Sequence, residues 1–144
     1  MANSNKIFLG GTCADTTWRN ELINKLNNIP FFNPVVEEWT PECQAMEKQE
    51  KEFECNIHFY CITKEMQGVF SIAEVVDSVH NEFKTTILHV IPDGFEYFQL
   101  KSLEAVIDLV NSRGGIAYID SNLSRSANVL NYSFSQNAML ASVT

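Results

Sequence analysis

Residues 57–62 read IHFYCI, and this stretch decides the fold class. Its β-branched and aromatic residues favour a strand, and the run is too short for a typical helix. Apolar side chains occupy both alternating sets of positions, so we expect a central strand that is buried on both faces. Such a strand belongs in a parallel sheet with helices packed against each side.

Strand and helix patterns alternate outward from this stretch in both directions. The predicted strands cover residues 6–10, 31–36, 57–62, 85–91 and 116–119, and the predicted helices cover 18–26, 42–54, 69–80, 98–111 and a segment from residue 124. Thr40 and Pro41 are suited to the cap and first position of the second helix. Repeated β-α units of this length predict an α/β fold with a five-stranded parallel sheet, in a single domain spanning residues 1–144.

Composition narrows the classes of partner. The formal charge is −8 at pH 7, which disfavours binding to a nucleic-acid polymer or an anionic membrane and favours a small-molecule ligand. Residues 1–5 lack the features of a signal peptide, and no apolar run is long enough to span a membrane, so we expect a cytoplasmic protein.

The cysteine and histidine patterns indicate neither a disulfide framework nor a metal site. Four cysteines lack zinc-type spacing, and we expect reduced thiols, with Cys55 and Cys61 buried. His58, His80 and His89 are scattered along the chain, so we expect no metal, and we expect no cofactor.

Candidate binding residues follow three of the predicted strands, at the edge where an open parallel sheet binds ligands. They are Gly10, Gly11, Thr12 and Asp15 after the first strand, Asn33 after the second, and Gly68 and Ser71 after the third. The glycines either let a phosphate approach the backbone or only form a tight turn. The loop matches neither the dinucleotide-binding pattern nor the P-loop pattern, which disfavours both of those classes.

Glu74 is the most distinctive candidate. It follows Ser71 by three residues in the predicted helix 69–80, and its immediate neighbours are apolar. An unpaired buried carboxylate is costly, so Glu74 either faces solvent or is held at the edge of a site for use.

Three segments together resemble the nucleoside 2-deoxyribosyltransferase-like family. They are KIFLGGTCADTTWRNELI (6–23), FFNPVVEEWTPE (31–42) and ITKEMQGVFSIAEVVDS (62–78), within a resemblance that covers roughly residues 6–120. The resemblance implies a flavodoxin-like or Rossmann-like three-layer sandwich. It also implies that Glu74 is the nucleophile that attacks the anomeric carbon of a nucleoside while the base departs.

Three further residues have plausible binding roles and ordinary alternatives. Arg19 suits a phosphate or carboxylate, or is an exposed surface arginine. Trp39 offers a stacking face for a base, or only covers the sheet edge. Ser71 holds the sugar or a phosphate, or caps its helix.

The chain departs from the family pattern where an acid is needed. Residues 66–68 lack the Asp that assists proton transfer to the base in classical members, and Asn56 replaces an Asp that follows Cys in many relatives. Asp15, Glu47, Glu50 and Asp77 remain possible acids, and their spacing selects none of them. Glu37, Glu38 and the charged run 47–54 are interpreted as solvated faces.

Two functions from different classes remain open, with a purely structural domain ranked below both. The first is cleavage or exchange of an N-glycosidic bond in a nucleoside or nucleoside 5′-monophosphate. The second is a nucleotide-binding module without effective turnover. By resemblance we also expect a homodimer or larger homo-oligomer, in which Asn131 or Tyr132 of a neighbouring copy completes the pocket.

Overall fold

The computed structural model describes residues 5–14 and 16–143, with side chains described up to residue 135. The strands are β1 (Ile7–Gly11), β2 (Phe31–Phe32), β3 (Ile57–Ile62), β4 (Thr85–Val90) and β5 (Ile116–Ile119). The helices are α1 (Trp18–Ile23), α2 (Pro41–Gln49), α3 (Phe70–Val79), α4 (Tyr97–Ser112) and α5 (Ser124–Val143), and a π-helical turn (Glu50–Glu54), here called the π turn, continues α2.

The five strands form one all-parallel sheet in the order β2-β1-β3-β4-β5. In the central register Leu9 pairs with Phe59, and Phe59 pairs with Ile87. The predicted α/β sandwich with a five-stranded parallel sheet is therefore confirmed. The strand order reverses between β1 and β3, so the carboxyl ends of these two strands flank the position where such sheets bind ligands.

Each face of the sheet has its own apolar core. Ile7, Leu9 and Phe59 face one way and pack with Trp18 of α1 and Leu130 of α5. Side chains that point to the opposite face, Phe8, Tyr60 and Ile62 of β1 and β3, pack with α3 and α4. The predicted burial of β3 on both faces is confirmed, since all six of its residues are buried.

The second strand is shorter than predicted. The Asn33 side chain accepts a hydrogen bond from the backbone N–H of Val35 at 3.1 Å, and this local turn, followed by Pro34, ends the pairing after Phe32. Val35 and Val36 therefore lie in a loop, with exposures of 44% and 46%. The predicted start of α2 is confirmed, because the Thr40 side chain accepts a hydrogen bond from the N–H of Cys43 and Pro41 follows the cap.

Gly10 and Gly11 are required by the close approach of β1 to β3. A Cβ atom at Gly10 would lie 2.6 Å from the ring of Tyr60. Gly11 has a φ of +111°, and a Cβ there would lie 2.1 Å from the carbonyl oxygen of Cys61. Packing therefore accounts for both glycines, in addition to any contact with a ligand.

Helix α5 is fastened to the rest of the chain by polar contacts. The Asn131 side chain accepts from the N–H of Asn27 at 2.9 Å and donates to the carbonyl of Lys25 at 3.0 Å. Ser126 is hydrogen-bonded to the buried His89 of β4. None of the helices in the described part of the chain is long and apolar enough to cross a membrane.

Candidate active site

Two clefts meet at Glu74. The first, here the loop cleft, has a volume of about 400 Å³ and lies beyond the carboxyl end of β1. The second, here the helix cleft, has a volume of about 540 Å³ and lies between α2 and α3. The residues common to both are Trp39, Glu47, Phe70 and Glu74. Glu74 thus lies where the two clefts meet, with its side chain largely covered, which excludes the solvent-facing alternative.

Glu74 is ion-paired with Lys51 of the π turn. The Lys51 ammonium contacts the Glu74 Oε2 atom, and the side chains are only 20% and 11% exposed. An ammonium in contact offsets the cost of burying this carboxylate in part. Oε1 accepts no hydrogen bond from any residue that the structure describes, so it is free to face a ligand.

Glu47 is the second carboxyl group at this junction. It lies on α2, half-buried, in the wall of both clefts. Burial raises the pKa of Glu47, and the negative charge of Glu74 raises it further, against the smaller opposing effects of Lys51 and Arg19. Glu74, with an ammonium in contact, thus lies beside a second carboxyl group whose raised pKa suits it to hold a proton.

The prediction that residues 47–54 form a solvated face is therefore wrong on one side. Glu47 and Lys51 are four residues apart, so they share a face, and that face turns toward Glu74. A charged run without apolar periodicity looks the same whether it meets water or a polar cleft. The spacing of four residues between Glu47 and Lys51 was the only feature of the sequence that indicated their common face.

Arg19 is a buried structural residue, which excludes the exposed alternative. Its guanidinium donates to the carbonyl oxygens of Leu9 at 3.1 Å, Thr12 at 2.7 Å and Gly11 at 3.4 Å. It is 6% exposed, and burial lowers its pKa. Most of its donors are used on the loop itself, although the residue still borders the loop cleft.

Thr12 also serves the loop. Its hydroxyl accepts from the N–H of Thr63 at 3.0 Å, and its own N–H donates to the carbonyl of Cys61 at 2.9 Å. Trp18 donates from Nε1 to the Thr12 carbonyl at 2.9 Å. The two bonds to Thr63 and Cys61 join the carboxyl ends of β1 and β3, and the bond from Trp18 ties α1 to the same loop.

Gly68 and Ser71 line a small third pocket of about 220 Å³ with Gly11 and Thr12. Ser71 also lines the loop cleft beside Glu74. The residue that caps α3 is Val69, and no side chain makes the capping hydrogen bond, so the capping alternative for Ser71 is wrong.

Of the remaining predicted binding residues, the structure places one at the clefts and one away from them. Trp39 is 57% exposed at the junction of the clefts, so it does not cover the sheet edge. Asn33 lines neither cleft, and its Oδ1 is used in the turn with Val35. Asp15 lies outside the described residues.

Two alternative acids differ from Glu47 in their position. Glu50 is paired with Lys6 at 2.6 Å, away from both clefts. Asp77 lines the helix cleft only. Asn56, immediately before β3, accepts from the N–H of Lys6 at 2.8 Å and lines neither cleft. The Asp missing at that position therefore bears on the strand start and not on the clefts.

The predictions about cysteines and metal ions concern residues away from the junction of the two clefts. Cys55 and Cys61 are buried and free, as predicted, and burial raises the pKa of the Cys55 thiol to about 12. Within the described residues, no group of three or more His, Cys, Asp or Glu side chains is placed to hold a metal ion.

Comparison with known proteins gives one match. The family described as nucleoside 2-deoxyribosyltransferase like matches residues 4–90, a span that runs from the start of β1 to the end of β4 and includes Glu47, Lys51 and Glu74. No curated protein and no solved structure matches the chain. Because the match covers more than half of the sequence, the chain belongs to the nucleoside 2-deoxyribosyltransferase-like family.

Proposed function

We propose that this protein cleaves or exchanges the N-glycosidic bond of a nucleoside or nucleoside 5′-monophosphate, with Glu74 as the nucleophile. The observation that supports this most strongly is the position of Glu74 where two clefts meet, paired through one oxygen and free at the other. A carboxylate in that position can face the anomeric carbon while sugar and base occupy the space on either side.

In the proposed first step, Glu74 Oε1 forms a bond to the anomeric carbon as the bond from that carbon to the base nitrogen breaks. The electron pair of the broken bond leaves with the base, and Glu47 supplies the proton that neutralises it. In the second step, water or another base attacks the anomeric carbon and releases Glu74. The attacking group gives its proton to Glu47, which restores the starting state.

Aromatic groups at the junction suit a nucleobase. Trp39 and Phe70 are 57% and 74% exposed, and both border the two clefts. Exposed aromatic faces of this kind bind bases by stacking. Gly10, Gly11 and Ser71 line the loop cleft, where they would contact the sugar or its phosphate.

A second function, nucleotide binding without turnover, is favoured by one observation. Residues 66–68 (Met-Gln-Gly) carry no acidic side chain to protonate a departing base, which is consistent with a pocket that binds without turnover. On this alternative the clefts would sequester or sense a nucleotide-like ligand.

We also propose a homo-oligomer in the cytoplasm. Tyr132 is 67% exposed on α5 and is available to a second copy, whereas the Asn131 amide is used within the chain. Tyr132 is therefore the better candidate for completing a neighbour's pocket.

The test compares wild type with Glu74→Gln, which keeps the shape of the side chain and removes its charge. Each is incubated with a panel of nucleosides and 5′-monophosphates, with and without a free acceptor base, and released or exchanged base is measured by chromatography. Glu82→Gln, at an exposed position after α3, is the matched control.

Base release by wild type and the control, lost in Glu74→Gln, supports the enzyme, and dependence on acceptor base separates transfer from hydrolysis. An inert wild type that binds a member of the panel in calorimetry supports the binding module. Equal turnover by Glu74→Gln would contradict the proposed role of Glu74.

A further inference from the structure

The ion pair at Glu74 depends on an irregular piece of backbone. Lys51 belongs to the π turn, whose N–H of Cys55 donates to the carbonyl of Glu50 at 2.7 Å, five residues back. π-helical turns are rare and are frequent at functional sites. The carbonyl groups at the end of this segment need partners from outside it.

His58 of β3 supplies the partner for the Lys51 carbonyl. Its Nε2 lies 2.7 Å from that oxygen, and its Nδ1 lies 2.6 Å from the Ser78 hydroxyl. A carbonyl oxygen only accepts, so Nε2 carries the hydrogen, and in the neutral ring Nδ1 accepts from Ser78. Ser78 in turn lies 2.9 Å from the Thr86 hydroxyl, which donates to it. One carbonyl thus sets the direction of every bond in this buried chain.

We propose that His58 is a positioning residue for the candidate nucleophile, because its bond to the Lys51 carbonyl holds the π turn where the Lys51 ammonium reaches Glu74. The inference rests on the proposed function, since it assumes that Glu74 reacts. His58 itself does not touch the carboxylate.

The hydrogen bond from His58 to the Lys51 carbonyl matters because the Lys51 ammonium has a competing partner. Glu47 lies four residues before it, a spacing at which a lysine and a glutamate on one helix commonly pair. If the turn relaxed, the ammonium would be free to move to Glu47. The carboxyl group proposed as proton donor would then be stabilised as the anion, and Glu74 would lose its cation. The helix cleft also carries the charged side chains of Lys48, Glu52, Asp77 and Lys84, and Arg19 of α1 borders the loop cleft.

The first test needs no substrate. Trace acetylation with acetic anhydride, followed by peptide mass spectrometry, measures the reactivity of Lys51 relative to the exposed Lys101. In wild type we expect slow acetylation of Lys51, because it is paired with Glu74 and largely covered. In His58→Leu we expect its relative reactivity to rise roughly fivefold, the effect of losing one typical hydrogen bond.

Three variants sharpen this test. His58→Gln retains an N–H donor for the Lys51 carbonyl and is expected to restore most of the protection. His80→Leu, at the exposed end of α3, is the control and leaves Lys51 unchanged. If His58→Leu does not fold, Ser78→Ala removes only the hydroxyl that orients the imidazole, and a smaller rise is expected.

The second test is kinetic and separates this inference from the proposed function. In His58→Leu we expect kcat to fall roughly ten- to a hundredfold with KM little changed, and His58→Gln to recover most of the loss. An inactive wild type would contradict the proposed function, and the labelling result would still decide the inference. Unchanged Lys51 reactivity and unchanged kcat in a folded His58→Leu protein would overturn it.

Discussion

The Nη1 atom of Arg19 donates a 2.7 Å hydrogen bond to the carbonyl oxygen of Thr12, which also accepts from the indole N–H of Trp18 at 2.9 Å. Two side chains of α1 therefore converge on one carbonyl at the end of β1. The guanidinium is also 4.4 Å from the centre of the Trp18 ring, so the two donors support each other. The loop that borders the candidate active site is held by α1 and not by the sheet alone.

Replacement of Arg19 is expected to destabilise the fold. Arg19→Met removes donors from three buried carbonyl groups, and we expect the free energy of unfolding to fall by about 2–4 kcal/mol. Arg19→Lys satisfies fewer of these groups and is expected to recover only part of the loss. Urea unfolding measures both, with the exposed Arg113→Met as the control. Equal stability of Arg19→Met and the control would show that the carbonyl contacts contribute little.

Gly10→Ala tests the packing between β1 and β3. The added methyl group would lie 2.6 Å from the Tyr60 ring, so the strand or the ring must shift, and we expect a loss of about 1–3 kcal/mol. Gly68→Ala is the matched comparison because, apart from its two chain neighbours, no atom in the described part of the chain lies within 4 Å of its Cβ position. Thermal unfolding measures the stability of both variants. If Gly10→Ala is as stable as Gly68→Ala, the Tyr60 ring can move aside at little cost.

Glu47→Gln tests the proton donor. If Glu47 protonates the departing base, the variant should lose roughly 10²–10⁴ in kcat on natural nucleosides. The loss should be small on a deoxyribosyl substrate whose leaving group, such as a nitrophenolate, needs no proton. The raised pKa of Glu47 keeps it protonated to higher pH, so wild-type activity should fall as pH rises through that pKa.

That alkaline fall should disappear in Glu47→Gln, because glutamine does not titrate. Glu42→Gln, on the exposed first turn of the same helix, is the control and should keep the wild-type pH profile. Equal losses on both kinds of leaving group would assign Glu47 to binding instead of proton transfer.

Because His58 is buried, we expect the fold to lose stability in mild acid. Burial lowers its pKa to about 4, from an ordinary value of 6.5. Between these two pH values the unfolded chain binds a proton at His58 and the folded chain does not. The free energy of unfolding therefore falls as pH decreases from about 6.5 to about 4, by on the order of 3 kcal/mol in total. The stability contributed by the neutral imidazole is fully present above that window.

Urea unfolding of wild type and His58→Gln at several pH values isolates this contribution. The variant is expected to show a shallower decline, with the part due to the buried His89, whose pKa is also lowered, still present. His80→Gln, at an exposed position, should decline as wild type does. Parallel curves for wild type and His58→Gln would show that His58 is not the group responsible.

The sequence by itself determined the sheet, and together with the family resemblance it singled out Glu74 as the candidate nucleophile. The pattern of 57–62 is decisive because apolar side chains occupy both alternating sets of positions, as in a strand buried on both faces. The alternating units around it favour a parallel sheet. Glu74 is visible because a carboxylate among apolar neighbours at the start of a helix is unusual. These signals are local, and local sequence carries them completely.

Tertiary structure alone decided which charges meet. Glu47 and Lys51 look like any solvated helix face, and His58 looks like a strand residue, until the fold places α2 beside α3. Arg19 and Asn33 looked like ligand-binding groups because sequence shows a side chain's chemistry but not the backbone partners that already use it. Ion pairs and hydrogen bonds depend on distances of a few ångströms between segments far apart in the chain, and only the folded chain sets those distances.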